Sequence, residues 1–246
     1  MGQTCYAMAD DRSQLPAQLA LDIRWDTEAA LEDFIEGGNA DAVEAVRAAA
    51  AGEGAPSIYL YGGASTGKSH LLQAACRRVS AAGGSAVYLP LDALHGYPPA
   101  LLLGMESSRL VAVDRLTAIA SSPEWQEGLF HLFNRVRDAG GVFLAAGRER
   151  PDRLGLALPD LVSRLGWGLV FRLRELGETD KRRALTARAL RRGLELPEEV
   201  LNYLMLHHRR DADSLFSALD RLDDASLRAQ RRLTIPFVRR VLADSG

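Results

Sequence analysis

Residues 58–72, IYLYGGASTGKSHLL, indicate a short apolar strand, a glycine-rich turn and the start of an apolar helix. The turn matches the pattern G-x-x-x-x-G-K-[ST]. Its residues are Gly62, Gly63, Ala64, Ser65, Thr66, Gly67, Lys68 and Ser69. In such a loop several backbone N–H groups point at one anion, and the positive end of the following helix adds to the attraction. We therefore predict a nucleotide-phosphate site, with Lys68 at the outer phosphates and the Ser69 hydroxyl at Mg²⁺.

The lysine at position 68 supports this prediction. Among the 30 Lys and Arg residues of the chain, only Lys68 and Lys181 are lysine. A chain that uses arginine almost everywhere thus has lysine where the phosphate-loop pattern requires it. A chance glycine turn would not need that residue type.

The composition bounds the size, partners and compartment of the protein. With 246 residues, 47% of them hydrophobic and 25% charged, the chain can hold one large domain or two small ones. The net charge of −2 gives no general attraction to nucleic acid. Cys5 and Cys76 are too few for a disulfide framework, and no apolar run has membrane-spanning length. We therefore expect a cytoplasmic protein without a membrane partner.

An α/β domain with a five-stranded parallel sheet is predicted for residues 25–176. Apolar strands alternate with helical segments, which is typical of a parallel sheet covered on both faces. The predicted strands are 58–61, 86–91, 110–114, 142–146 and 169–173. Helices are predicted at 27–34, 41–51, about 69–82 and 122–140, capped by Asn39 or Asp41 and by Ser122, with residues 92–109 irregular.

A small all-helical lid domain is predicted for residues 177–246. Four segments have helical patterns, and no strand pattern lies between them; they are 178–192, 197–208, 212–230 and 235–242. Glycine and proline separate the segments, at Gly193, Pro197 and Pro236.

Residues 1–24 are predicted to be a flexible tail that carries one patterned segment. In that segment, QLALDI, Gln18 is followed by Leu19, Leu21 and Ile23 as alternating apolar residues. Two interpretations are open. The segment is an edge strand that packs back onto the domain, or a short linear motif that docks in a groove of another protein.

Asp114 is the candidate for a second magnesium residue. It ends the apolar segment LVAVD, which is predicted to lie beside the phosphate loop. A magnesium-organising Asp in phosphate-loop enzymes belongs at the carboxyl end of such a buried strand. The alternative is an acid that simply ends a strand.

A phosphate-loop domain followed by a small helical lid is the layout of AAA+ ATPases. Three segments narrow the resemblance: YGGASTGKSHLLQA, LPDLVSRLGWGLVFRL and LTIPFVRRVL. They closely resemble the bacterial replication initiator DnaA and its shorter regulatory relatives, the Hda family, from Gln18 onward. DnaA carries a further C-terminal helix-turn-helix domain for DNA, whereas this chain stops after the lid. This favours the Hda family and predicts no direct sequence-specific DNA binding.

The resemblance implies two partners, DnaA and the sliding clamp of DNA polymerase III (its beta subunit). Hda proteins carry a clamp-binding motif of the QL-x-L-x-hydrophobic kind near the N-terminus. Gln18, Leu19, Leu21 and Ile23 match it, while Asp22 stands where relatives often have Pro or another residue.

Arg164 matches the arginine finger of the family. The fixed charge and planar fork of arginine suit a transition state that spreads charge over phosphoryl oxygens in a partner's site. The alternative is a structural arginine that pairs with a nearby acid such as Asp160. AAA+ relatives assemble through the finger side, and the resemblance therefore implies a homo-oligomer as a further partner.

Three positions depart from the family pattern. Arg115 stands where related ATPases place a second acid that orients the attacking water. Arg148 aligns with the polar residue that senses the terminal phosphate. Asp213 aligns with a lid arginine, although Arg209 and Arg210 lie close by and are candidates to replace it. Each departure weakens intrinsic hydrolysis, so we expect a bound adenine nucleotide, ADP or ATP, with Mg²⁺ but without efficient turnover.

The implied function is regulatory inactivation of DnaA. The protein would dock on the DNA-loaded clamp and offer Arg164 to ATP-bound DnaA, whose ATP is then hydrolysed, so that re-initiation is prevented. Two alternatives stay open. One is a self-sufficient ATPase, which the intact GKS supports, and the other is a DnaA-like or loader-like protein that acts on DNA directly.

Overall fold

The computed structural model describes residues 29–207 and 211–243. The predicted docking motif, Gln18 to Ile23, lies outside the described residues, as do Arg209 and Arg210. In the described part of the chain, no helix combines the length and the apolar character that crossing a membrane requires.

The first domain is built on five parallel strands in the order β2-β3-β4-β1-β5. They are β1 (Ser57–Tyr61), β2 (Ala86–Pro90), β3 (Leu110–Asp114), β4 (Val142–Gly147) and β5 (Leu169–Arg172). The central strands β3, β4 and β1 are almost entirely buried, because their apolar side chains face helices on both sides. The predicted five-stranded parallel sheet is confirmed, with strand ends within one residue of the predicted ones.

Helices cover both faces of the sheet. In the described part of this domain they are α1 (Ala40–Ala51), α2 (Lys68–Ala81), α3 (Leu91–Leu94), α4 (Pro123–Asp138) and α5 (Pro159–Leu165). On one face, α2 buries Leu71 and Leu72 against Leu60 of β1. On the other face, Phe133 of α4 and Leu161 of α5 share a second apolar cluster.

Four further helices follow β5: α6 (Glu178–Arg191), α7 (Glu198–His207), α8 (Ala212–Ala229) and α9 (Ile235–Ala243). They have an apolar core of their own, which includes Leu185, Leu204, Leu219 and Val238. Across the described residues of this region no strand interrupts the helices, and the predicted all-helical lid domain is confirmed.

The helix predicted at 27–34 is wrong for its described residues. They form a single 3₁₀ turn at Leu31–Asp33, after which the backbone of Phe34 is extended. This extended backbone allows the Phe34 ring to contact Gly67 of the phosphate loop. A tertiary contact therefore overrides the local helical pattern.

The predicted side-chain caps are also absent from the two helices concerned. Asn39 precedes α1 without a capping hydrogen bond, and its amide instead binds the backbone of Arg174, accepting from N–H at 2.7 Å and donating to C=O at 3.0 Å. Ser122 precedes α4 without a capping bond. The region predicted to be irregular contains α3 and two 3₁₀ turns, at Pro99–Leu102 and Met105–Ser107.

Candidate functional site

The phosphate loop connects β1 to α2, and close packing restricts two of its glycines. Gly67 has a φ of 86°, a conformation that favours glycine. A methyl group on Gly67 would lie 2.6 Å from the Phe34 ring. A methyl group on Gly62 would lie 2.5 Å from the carbonyl oxygen of Leu173. Packing therefore requires glycine at the same two positions as the sequence pattern.

Lys68 folds back over the loop. Its ammonium group donates to the Gly62 carbonyl at 2.8 Å, to the Gly63 carbonyl, and to Thr66 Oγ1 at 2.9 Å. Partial burial lowers the pKa of Lys68, while Asp114 and Asp213 oppose this shift and the charge of Arg148 adds to it. The N–H groups of the Lys68 ammonium thus donate hydrogen bonds to oxygens of the loop, and phosphate oxygens can replace these acceptors.

Asp114 is buried at the end of β3 and is fully engaged. One carboxylate oxygen, Oδ2, accepts from Ser69 Oγ at 2.5 Å and from the Tyr88 hydroxyl at 2.7 Å. The other, Oδ1, accepts from the backbone N–H of Arg115 at 2.8 Å. The structure therefore brings together Ser69 and Asp114, which were both predicted to serve Mg²⁺.

The donor set of Ser69 and Asp114 fits Mg²⁺, which prefers hard oxygen ligands. Within the described ranges, no group of three or more His, Cys, Asp or Glu side chains could hold a metal ion. Mg²⁺ is usually bound by one or two carboxylates together with substrate phosphates. This pair therefore suits an ion that arrives with a nucleotide.

A cleft of about 560 Å³ opens beside the loop, and it is lined by equal numbers of acidic and basic residues. The charged residues are Lys68, Arg115, Arg148, Asp92, Asp114 and Asp213. Arg115 forms an ion pair with Asp92. Arg148 is exposed and has no ion-pair partner within residues 29–207 and 211–243. The three positions that depart from the family pattern therefore face one cleft.

The lid contacts the phosphate loop through acidic side chains. Ser65 Oγ donates to Asp213 Oδ2 at 2.8 Å and lies 3.3 Å from Asp211 Oδ1. Asp211 also caps α8 by accepting from the Ser214 backbone N–H at 2.9 Å. This bond and one from the Ser214 hydroxyl lower the pKa of Asp211. The lid carboxylate at position 213 thus lies where the phosphates of a bound nucleotide would approach.

A second cleft, of about 330 Å³, lies between the loop and the lid. Its apolar side chains come from three separate parts of the chain: Phe34 and Ile35, then Leu176, and Phe216 of α8. His70 of α2 also lines it. Five charged residues also line the cleft: Asp33, Arg188, Arg191, Asp213 and Asp220. A cleft that combines apolar and polar side chains next to a phosphate loop is suited to the base and sugar of a nucleotide.

Sequence reasoning missed this second cleft. The sequence predicts a helix for Phe34 and a lid helix for Phe216, and neither prediction indicates a cleft. Because the residues that line the cleft are more than 180 positions apart in the chain, no local pattern connects them. The only usable signal was the segment before the loop, where Phe34 and Ile35 are adjacent large apolar residues.

Arg164 lies on α5 and lines neither of the two clefts. Its side chain is half-buried and has no hydrogen bond or ion pair among the described residues, so the alternative pairing with Asp160 is not found. The backbone N–H of Trp167 donates to the Arg164 carbonyl at 3.2 Å. Trp167 is 55% exposed and Leu169 is 43% exposed. Arg164, Trp167 and Leu169 are hereafter called the finger surface.

Comparison with known proteins identifies the fold of the chain and the type of its lid. Residues 178–242 match the family model for the Hda lid domain. Domain III of Thermotoga maritima DnaA is similar at a TM-score of 0.78 with 23% identity, over 90% of this chain and 98% of that one. AMPPCP-bound DnaA from Aquifex aeolicus is similar at a TM-score of 0.67 with 26% identity, over 80% of this chain and 65% of that one.

A more distant similarity concerns the fold alone. The Thermotoga maritima RuvB branch migration motor has a TM-score of 0.64 with 16% identity, over 90% of this chain and 73% of that one. The phosphate loop, the strand order and the helical lid are thus arranged as in DnaA, and the lid itself is of the Hda type. The chain is therefore an Hda/DnaA-like protein with the AAA+ fold.

Proposed function

We propose that this DnaA-related replication regulator stimulates hydrolysis of DnaA-bound ATP and thereby prevents re-initiation. The position of Arg164 is the observation that carries the proposal. Its side chain lines neither cleft of its own nucleotide site and is unpaired among the described residues. Such an arginine is available to a neighbouring molecule, where its planar charge would stabilise the oxygens of a transferring phosphoryl group.

The chain's own site supports a regulatory role over a turnover role. Arg115 follows Asp114 in place of a second acid and forms an ion pair with Asp92. Asp213 adds a negative charge beside the loop. We infer that the site holds an adenine nucleotide, ADP or ATP, with Mg²⁺ at Ser69 and Asp114. The AMPPCP bound by Aquifex aeolicus DnaA supports nucleotide binding by this fold.

Docking on the sliding clamp completes the proposal. Gln18, Leu19, Leu21 and Ile23 would bind the DNA-loaded clamp and bring the finger surface to DnaA in the cytoplasm. The support for this step is the sequence motif alone, since these residues precede the described part of the chain. A clamp pull-down tests it: Gln18→Ala should lose capture, and retained capture would refute clamp docking through this motif.

The proposal is tested by mixing the protein with DNA-loaded clamp and ATP-bound DnaA and following ATP loss. Arg164→Ala should abolish the stimulation, because the finger charge is removed. Arg228→Ala is a matched control, since it removes an exposed arginine on the far end of α8. If Arg164→Ala stimulates as well as the wild type, the finger assignment is wrong.

A self-sufficient ATPase is the second candidate, and one observation favours it. Lys68, Ser69 and Asp114 are all present, and Ser69 lies in hydrogen-bonding contact with Asp114. Turnover by the isolated protein that Lys68→Ala abolishes would support this candidate. If the isolated wild-type protein hydrolyses ATP no faster than Lys68→Ala does, the regulatory proposal is favoured.

A further inference from the structure

Tyr88 is a buried polar residue that lies beside the proposed magnesium site. It belongs to β2, is 4% exposed, and its hydroxyl reaches Asp114 at the end of the neighbouring strand β3. Tyr88 pairs in register with Ala112, and Ala112 and Asp114 face the same side of the sheet because side chains alternate along a strand. The side of the sheet that carries Tyr88 and Ala112 is the side covered by α2.

The helix α2 supplies two more members of the same network. Ser69 and Gln73 are four residues apart and therefore lie on one face of the helix. The Ser69 hydroxyl binds Asp114, and the Gln73 side chain forms a hydrogen bond with Tyr88. Side chains from β2 and α2 thus meet at the carboxylate of Asp114, which belongs to β3.

The chemistry of the groups sets the direction of each hydrogen bond. A carboxylate only accepts, so the single hydroxyl proton of Tyr88 must be donated to Asp114. The Tyr88 oxygen is then left as an acceptor, and the Gln73 amide N–H₂ group is its donor. The hydrogen bonds therefore run in one direction, from Gln73 to Tyr88 to Asp114.

We propose that Tyr88, supported by Gln73, is a positioning residue that orients Asp114 for the Mg²⁺ that enters with the nucleotide. The inference rests on the proposed nucleotide site. Hydrogen-bonding partners of ligating carboxylates fix their orientation, and their loss typically costs about 10- to 100-fold in metal affinity. Tyr88 is suited to this role because its buried hydroxyl lies 2.7 Å from Asp114 Oδ2 and has one proton to donate.

Nucleotide affinity measured with and without Mg²⁺ tests the inference. The probe is a fluorescent ADP titrated into the full chain, once in Mg²⁺ and once in EDTA. Tyr88→Phe should lower the gain in affinity that Mg²⁺ produces by about tenfold and leave the affinity in EDTA unchanged. Gln73→Leu, which keeps Tyr88 but removes its donor, should give a smaller loss of the same kind.

Tyr59→Phe is the matched control. Tyr59 is also a buried tyrosine on a strand, and its hydroxyl donates to the Glu149 carbonyl at 2.8 Å instead of to Asp114. It should retain the wild-type gain from Mg²⁺. Two outcomes would overturn the inference while leaving the nucleotide site intact. In one, Mg²⁺ raises the ADP affinity of Tyr88→Phe as much as that of the wild type. In the other, Tyr88→Phe loses ADP affinity equally with and without Mg²⁺. Absence of nucleotide binding by the wild type would overturn both.

Discussion

At the scale of single residues, the charges around the phosphate loop depart from those of an efficient ATPase. Arg148 enters the cleft from the end of β4, and Asp213 enters from the lid. Neither charge is neutralised by an ion pair among the described residues. Arg148 should therefore attract the phosphates of a bound nucleotide and Asp213 should repel them, and each effect can be tested alone.

Removing either charge should shift nucleotide affinity in a predictable direction. We expect Asp213→Asn to strengthen ADP binding and Arg148→Ala to weaken it, each by about tenfold, or about 1.4 kcal/mol. The reason is that the first change removes repulsion of phosphate and the second removes attraction. Titration with fluorescent ADP measures both changes. Asp224→Asn, an exposed acid on the same helix outside both clefts, should change little.

The tight packing of Gly67 gives a second prediction at this scale. Gly67→Ala combines an unfavourable φ of 86° with the collision against Phe34, whereas Gly83→Ala has a φ of 80° with no atom within 4 Å. Gly83→Ala should lower the free energy of unfolding by about 1 kcal/mol. Gly67→Ala should lower the free energy of unfolding by at least twice as much, and it should also abolish nucleotide binding. Chemical denaturation compares them, and equal losses would contradict the packing argument.

At the scale of elements, α5 and the turn into β5 hold the finger surface in place. A methyl group on Gly168 would lie 2.0 Å from the Ser57 carbonyl oxygen, so the turn is packed directly against β1. The Trp167 N–H bond to the Arg164 carbonyl links the turn to the helix. Arg164 and Trp167 thus belong to one fixed unit at the edge of the sheet.

The exposed Trp167 should contribute to binding of DnaA. Buried tryptophan and arginine side chains supply most of the energy at many interfaces, often about 2 kcal/mol or more each. Trp167→Ala should therefore reduce stimulation of DnaA by about tenfold or more at limiting protein, while ADP affinity stays at the wild-type value. Leu103→Ala, a similarly exposed apolar residue at 69%, is the control. Full stimulation by Trp167→Ala would contradict a contact at this position.

The cap of α8 gives a prediction about pH. The pKa of Asp211 is lowered in the folded protein. Its carboxylate therefore stabilises the fold above the ordinary aspartate pKa of about 4, and this contribution is lost as the pH falls through the lowered value. Asp211→Ala should cost about 1 kcal/mol at pH 7, and the cost should shrink in acid. Asp211→Asn keeps the capping oxygen and should cost less, as measured by denaturation at both pH values.

At the scale of the whole molecule, the sequence was most informative where structure follows local patterns. The strands were predictable because buried apolar runs end at clear turns, and the phosphate loop because glycine and lysine occur at fixed spacing. Contacts between distant segments were not predictable. The contact of Ser65 with Asp213 and the ion pair of Arg191 with Asp33 join the lid to the first domain across more than 140 positions. Nothing in the local sequence connects those residues.

The arrangement as a whole separates two tasks. The candidate nucleotide site lies between the phosphate loop and the lid, whereas the finger surface lies on α5, the turn after it and the edge strand β5. On the proposed function, the first site binds the protein's own nucleotide and the finger surface acts on the nucleotide of a partner. On this proposal, the ATP that is hydrolysed belongs to DnaA.

A single-turnover experiment determines whether the ATP bound to DnaA is the ATP that is hydrolysed. DnaA is loaded with labelled ATP, excess unlabelled ATP is added as a chase, and loss of the label is followed with DNA-loaded clamp and each variant. We predict rapid loss with the wild type and a rate at least about a thousandfold lower with Arg164→Ala, as for other fingers supplied by a partner. Equal rates for the wild type and Arg164→Ala would show that Arg164 does not act on the ATP of DnaA.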